Sequence, residues 1–283
     1  MEGIAMARHM TLSAMAALAF VAVATAQSPA PRFLWKADLT LDYKVEQTTT
    51  VNDTDKNKTD TFVTKLNLTK RWQVTEMDSA GVATLQLSLL AVRMETRKPN
   101  GQTDVFDSQN LDKANADLNK DMLQYIGQPI AVLRFDGLGR LMEVKKSIFG
   151  PASRFQSDLP FRIALPLASP TVGQTWDRSY LIKLEPPQGA GETYGAIQKY
   201  TCKSITADTL TVGLTTMVKE LPDASADRIP LVPFQPEGTI TFDVTNGRMK
   251  KAELKMDAEF ADHRGDGSKY RYNSVYTEEL VQR

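Results

Sequence analysis

After residue 32 the apolar and polar side chains alternate with a period of two, the spacing of a strand with one dry and one wet face. Phe33, Trp35, Ala37, Leu39, Leu41, Tyr43 and Val45 face one way, and Lys36, Asp38, Thr40, Asp42, Lys44 and Glu46 the other. Phe62, Leu66, Leu68, Trp72 and Val74 form a second stripe, and Ala83, Leu85, Leu87, Leu89 and Ala91 a third. The pattern returns with Trp176, Tyr180, Ile182 and Leu184, then with Tyr194, Ala196, Tyr200 and Cys202. Leu210 to Val218, Ile240 to Val244, Leu254 to Phe260 and Tyr270 to Tyr276 follow in the same style. Polar runs such as 52–58, together with Asp78-Ser79-Ala80-Gly81, Asn246-Gly247 and Gly265-Asp266-Gly267, separate them as turns. About eleven or twelve strands result. One polar face per strand predicts antiparallel pairing, because parallel strands covered on both sides read as continuous apolar runs.

A dry sheet face needs a cover. Leu111, Ala114, Leu118, Met122 and Tyr125 share one helical face, with Asn110 as N-cap and Gly127 and Pro129 as the stop. A second helix over Ser153 to Ala164 is interrupted by Pro160. The expected fold is therefore mainly β with some helix (α+β). It is a large curved antiparallel sheet or incomplete barrel of about 11–12 strands, with one or two helices on its concave face. The proline-bearing stretch 150–173 divides the chain, and each half opens on a tryptophan-bearing strand. Residues 27–283 are read as a single β-rich domain; two similar halves divided near 150–173 are the alternative.

The N-terminus carries a different pattern. Thr11 to Val23 is a short apolar run behind Arg8 and His9, and it ends in Ala24-Thr25-Ala26. This is the layout of a secretory signal peptide over residues 1–26, with translation starting at Met1 or Met6. Cleavage would leave no transmembrane segment, and the expected location is periplasmic or extracellular. Across the 283 residues, 34 Lys and Arg balance 34 Asp and Glu. Such a neutral chain has no electrostatic reason to bind nucleic acid. The single cysteine, Cys202, allows no disulfide framework and is read as a small buried hydrophobe.

Candidate chemistry is sparse. Asp53, Asp55 and Asn57 open like a calcium loop, but Lys58 stands where glycine belongs and Thr64 where glutamate belongs, so a hairpin tip is the better reading. Arg264-Gly265-Asp266 spells an adhesion tripeptide and reads as a glycine turn. Gly137-Leu138-Gly139 lacks the third glycine of a dinucleotide fingerprint, and Phe135-Asp136-Gly137 reads as a hairpin. Beyond the leader, His263 is the one imidazole. No catalytic residue, metal ligand or cofactor is assigned, although a pair of carboxylates acting as a hydrolase stays open. The methionines among the apolar stripes either fill a core or line a cavity for an apolar ligand. In the second case the lining would be Leu118, Met122, Tyr125, Leu254, Met256 and Phe260.

The strand at Tyr43-Lys44-Val45, the hairpin around Asp136-Gly137 and the stretch Val172-Gly173-Gln174-Thr175-Trp176 resemble an uncharacterised family of secreted bacterial β-rich proteins. The layout is also similar to the half-barrels of periplasmic lipoprotein carriers, a likeness of architecture that implies no catalytic residues. The expected protein is a non-enzymatic, exported cell-envelope component that binds a lipid or other apolar small molecule. The alternative is a structural or interaction protein with a solid core, which meets an envelope protein through its edge strands or the Pro230-to-Pro236 loop.

Overall fold

A computed structural model describes residues 30–111 and 122–281. The expected leader, and Ala114 and Leu118 of the expected helix, lie outside the described residues.

Twelve strands form one antiparallel sheet. They are β1 (Thr40–Asp55), β2 (Lys58–Met77), β3 (Ala83–Arg97), β4 (Thr103–Asp107), β5 (Pro129–Phe135), β6 (Leu141–Ser147), β7 (Thr175–Lys183), β8 (Thr193–Ile205), β9 (Thr209–Val218), β10 (Glu237–Asp243), β11 (Arg248–Ala261) and β12 (Lys269–Leu280). The spatial order is β6-β5-β3-β2-β1-β12-β11-β10-β9-β8-β7, with β4 beside β3. Chain neighbours are mostly sheet neighbours, as hairpin turns dictate. Lys56 and Asn57 join Asp55 to its partner Lys58, so the calcium-like run is a two-residue hairpin. The first six strands make one side of the sheet and the last six the other. β1 and β12 join the two sides, from Tyr43 opposite Leu280 to Thr54 opposite Lys269.

A twisted sheet of this width curls rather than staying flat, and it curls around its apolar stripes. Leu41, Tyr43, Val45, Trp72, Leu85, Leu133, Tyr200, Val212, Phe242 and Leu254 are all buried in the main core. The roll is incomplete, and β6 and β7 do not pair. Both edges instead contact one short helix, α1 (Arg154–Ser157), in the connection between them. A second short helix, α2 (Ser225–Arg228), runs into a 3-10 turn over Ile229–Phe234 that packs on β11. Leu231 and Val232 of that turn are buried, so much of the Pro230-to-Pro236 loop is docked.

Two expectations require correction. The alternation from Phe33 predicts a strand there, but the sheet begins at Thr40. Asp38 takes a left-handed φ of 61°, which breaks the extended path. The preceding stretch lies across the sheet, with the Phe33 amide on the Gly137 carbonyl and the Leu34 amide on that of Gly247. Its alternation is real, because Phe33 and Trp35 are buried while Leu34 and Lys36 are exposed. A period of two reports one buried face, whatever that face packs against.

The second correction concerns Ser153 to Ala164, of which only Arg154–Ser157 is helical. Pro160 has no amide to give Gln156, and its ring would strike that residue's carbonyl. It begins a turn instead, closed by the Arg162 amide on the Leu159 carbonyl at 3.0 Å. Of the expected 110–126 helix, Met122 and Leu123 are helical among the described residues, and Tyr125 is in the turn that follows.

Candidate functional site

The connection from β6 to β7 is the principal cover of the concave face among the described residues. Phe155, Leu159, Phe161, Ile163, Ala164 and Leu165 are buried along it. Among the bonds that hold it, Trp176 Nε1 donates to the Ala164 carbonyl at 2.7 Å, the Leu165 amide donates to Leu138 at 2.8 Å, and Arg178 donates to Gln156. Phe161 goes deepest. Its ring centre lies 5.3 Å from Phe33, 5.5 Å from Trp35, 5.4 Å from Trp72 and 6.0 Å from both Tyr43 and Phe135.

Beside this plug the interior is not filled. A hollow of about 270 Å3 lies between the sheet and the connection. Val45, Leu66, Leu68, Leu87, Leu89 and Ile130 form its sheet wall, and Phe149, Phe155 and Leu159 face them. Its polar lining is Gln47, Lys70, Arg154, Asp158, Arg162 and Tyr276. The site therefore joins aliphatic walls to a cluster of charges, in the proportions usual for small-molecule pockets.

The charges centre on Glu278, whose side chain is 0% exposed. Lys70 Nζ sits 2.7 Å from its Oε1, Arg162 Nε lies 3.7 Å from its Oε2, and the Tyr276 hydroxyl donates to Oε2. Arg162 also pairs with Asp158, and its guanidinium stacks 4.5 Å above the Tyr276 ring. Burial pushes the Lys70 pKa below the usual lysine value, with Glu278 opposing the shift and Arg162 adding to it. Burial also works against the charge on Arg162, but Tyr276 and Glu278 outweigh it and hold that pKa up. The Tyr276 hydroxyl is raised by burial, against the pull of Arg162. A buried charge survives only when paired, and this cluster pairs most of its members.

Arg154 is the exception. Its Nη1 donates to the Phe149 carbonyl at 2.6 Å, and its guanidinium lies over the Phe149 and Phe155 rings at 5.2 and 4.9 Å. Burial first and Arg162 second lower its pKa, and among the described residues it has no carboxylate partner. Trp72, on the same lining, has a buried Nε1–H with no acceptor.

Two other hollows border the first one or its cover. One of about 150 Å3 shares Gln47, Asp158, Arg162 and Tyr276 with it and is also lined by Leu254 and Met256. The other, about 670 Å3, lies between the unpaired edges, where Leu141 faces Trp176 and Arg178. There Arg178 and Tyr200 both donate to the Gln198 side-chain carbonyl, at 2.7 and 3.0 Å.

The sequence-derived lining residues are thus divided. Leu254 and Met256 border the 150 Å3 hollow. Met122 and Tyr125 pack against the core, Tyr125 edge-on to Phe149 at 4.9 Å. Phe260 is half-buried opposite Tyr270 and borders none of the three hollows. Leu118 lies outside the described residues. His263 lies elsewhere, with Nε2 3.2 Å from Asp53, a carboxylate that also pairs with Arg264 at 2.7 Å. Cys202 is buried, and burial raises its thiol pKa. Among the described residues no group of three His, Cys, Asp or Glu forms a metal cage, and no helix is long and apolar enough to cross a membrane.

Lys70 and Glu278 each carry a signal in the sequence. Lys70 stands in phase with Leu66, Leu68 and Trp72, and Glu278 in phase with Tyr276. Arg178 and Gln198 likewise occupy dry positions between Trp176 and Tyr180 and between Ala196 and Tyr200. A charge at an in-phase position of a dry stripe marks an internal polar site. Arg154 and Arg162 carried no such mark, because they lie on an aperiodic connection.

No protein-family model and no curated protein matches the chain. Among solved structures, a lipovitellin chain studied for lipid–protein interactions is 10% identical over 88% of this chain, with a TM-score of 0.49. This chain spans only 26% of that one. The β-barrel-like protein of domain of unknown function DUF1849 from Brucella abortus is 9% identical over 87% of this chain and 100% of its own, with a TM-score of 0.21. The strand order and the hollow define the class of this protein: an open antiparallel β-barrel plugged by its own central connection.

Proposed function

We propose that this protein is a non-enzymatic, exported component of the cell envelope that holds an apolar ligand between its sheet and the connection Phe149–Arg162. The 270 Å3 hollow on the dry face of the sheet carries this reading, because an aliphatic wall left unfilled forfeits packing contacts that a ligand restores. Export is inferred from the leader pattern of residues 1–26, and the resemblance to secreted β-rich proteins and carrier half-barrels agrees with it. A binding role suits the carboxylates of the site. Asp158 and Glu278 are both engaged by Arg162, and Glu278 is sealed from water. The test is native mass spectrometry of protein purified from its own host, followed by titration with a fluorescent fatty acid. A retained small molecule, or saturable uptake displaced by unlabelled lipid, is expected. An empty protein without saturable uptake overturns the reading.

A second reading is an interaction protein, favoured by the unpaired outer edges of β6 and β7. Such edges template the pairing of an added strand. Cross-linking from cysteines placed at Met142 and Leu181 would then capture one envelope partner at both edges.

A further inference from the structure

We propose that the hollow selects an amphiphile with a single anionic head, bound by Arg154 with its tail along Leu66, Leu68 and Leu87. This rests on the binding role proposed above and adds the charge of the ligand. The hollow and its floor hold three cations, Lys70, Arg154 and Arg162, against two carboxylates, Asp158 and Glu278. Both carboxylates are committed, Asp158 to Arg162 and Glu278 to Lys70 and Arg162. Among the described residues one positive charge is left over, and it belongs to Arg154.

That guanidinium carries five N–H donors and satisfies the Phe149 carbonyl with Nη1. Its planar fork matches a carboxylate or phosphate oxygen pair in a way an ammonium does not. The Phe149 and Phe155 rings clamp the guanidinium, so the entropy of ordering it is already spent. Trp72, on the same lining, has an indole N–H without an acceptor among the described residues. The aliphatic wall beyond excludes a ligand that is polar throughout. At about 30 Å3 per water-sized group, the hollow takes about nine heavy atoms, the size of a short acyl chain with its head.

The experiment is calorimetric titration of the full-length protein with three probes of equal tail: octanoate, 1-octanol and octylammonium. Octanoate is expected to bind about tenfold more tightly than octanol, the margin of one charge-assisted contact, with octylammonium weakest. In R154Q the advantage of octanoate over octanol should disappear. Octanol binding as tightly as octanoate to the unaltered protein overturns the anionic head and leaves the apolar site standing. Saturable binding of none of the three removes the binding role itself. The wild-type comparison decides the matter even if R154Q does not fold. Octyl phosphate in a parallel titration shows whether a carboxylate or a phosphate head is preferred, and weaker binding of both than of octanol also overturns the proposal.

Discussion

Replacing Phe161 by alanine tests whether the β6–β7 connection is a plug or merely a surface strap. Phe161 is 1% exposed and lies within 6.0 Å, centre to centre, of five aromatic rings. An aromatic side chain buries about 150–250 Å2, worth about 4–6 kcal/mol at ~25 cal/mol per Å2. Alanine keeps part of that area, while the cavity left behind adds a cost of its own. The measured range for Phe→Ala in cores, about 3–5 kcal/mol, is therefore the expectation. Five rings surround the gap, and their planes are too stiff to collapse into it, which favours the upper half of the range. For a chain of this size that corresponds to a fall in Tm of about 8–20 °C. Urea unfolding followed by tryptophan fluorescence measures it directly, because Trp35 and Trp72 both touch the deleted ring. Phe62→Ala is the control: Phe62 is 41% exposed on β2, and its loss should cost no more than about 0.5 kcal/mol. If the two variants lose the same stability, the connection is not the plug.

Two further outcomes follow from the interior. Burial raises the pKa of Tyr43 and Tyr276 and pushes that of Tyr200 up to about 12. The folded state therefore keeps protons that the unfolded chain releases above about pH 10, so this stability is complete below that pH and is lost as pH rises. One unit above it Tyr200 alone should cost about 1 kcal/mol, and Lys70, whose lowered pKa acts in the opposite sense, offsets part of the total. The last tyrosinate absorbance to appear should then coincide with loss of the circular dichroism signal, and ionisation of all eight tyrosines in a still-folded protein would contradict this. Separately, Gly247 turns the β10–β11 hairpin at φ 59°, and a Cβ there would lie 2.4 Å from the Leu34 amide nitrogen. Gly247→Ala should cost about 1–3 kcal/mol, read by urea unfolding. A loss near zero would mean that the Leu34 segment is not docked on the hairpin tip.

The alternation of side chains determined the antiparallel sheet, its one dry face and nearly all of its strands, because strand periodicity is local and each stripe stands in the chain itself. β4 (Thr103–Asp107) escaped notice, being five residues long with a single fully buried side chain. Lys70 and Glu278 were legible in principle as charges standing in apolar register. What only the tertiary structure decided is where the sheet finds its cover. Phe33 comes from an alternating segment that lies off the sheet and Phe161 from a connection with no period, and they meet because β1 pairs with β12 and brings the two halves into one curl. The pairing of Arg162 with Glu278 likewise depends on residues more than a hundred positions apart. Alternation records which side of a strand is dry, whereas the curl of the whole sheet sets which groups share the enclosed space.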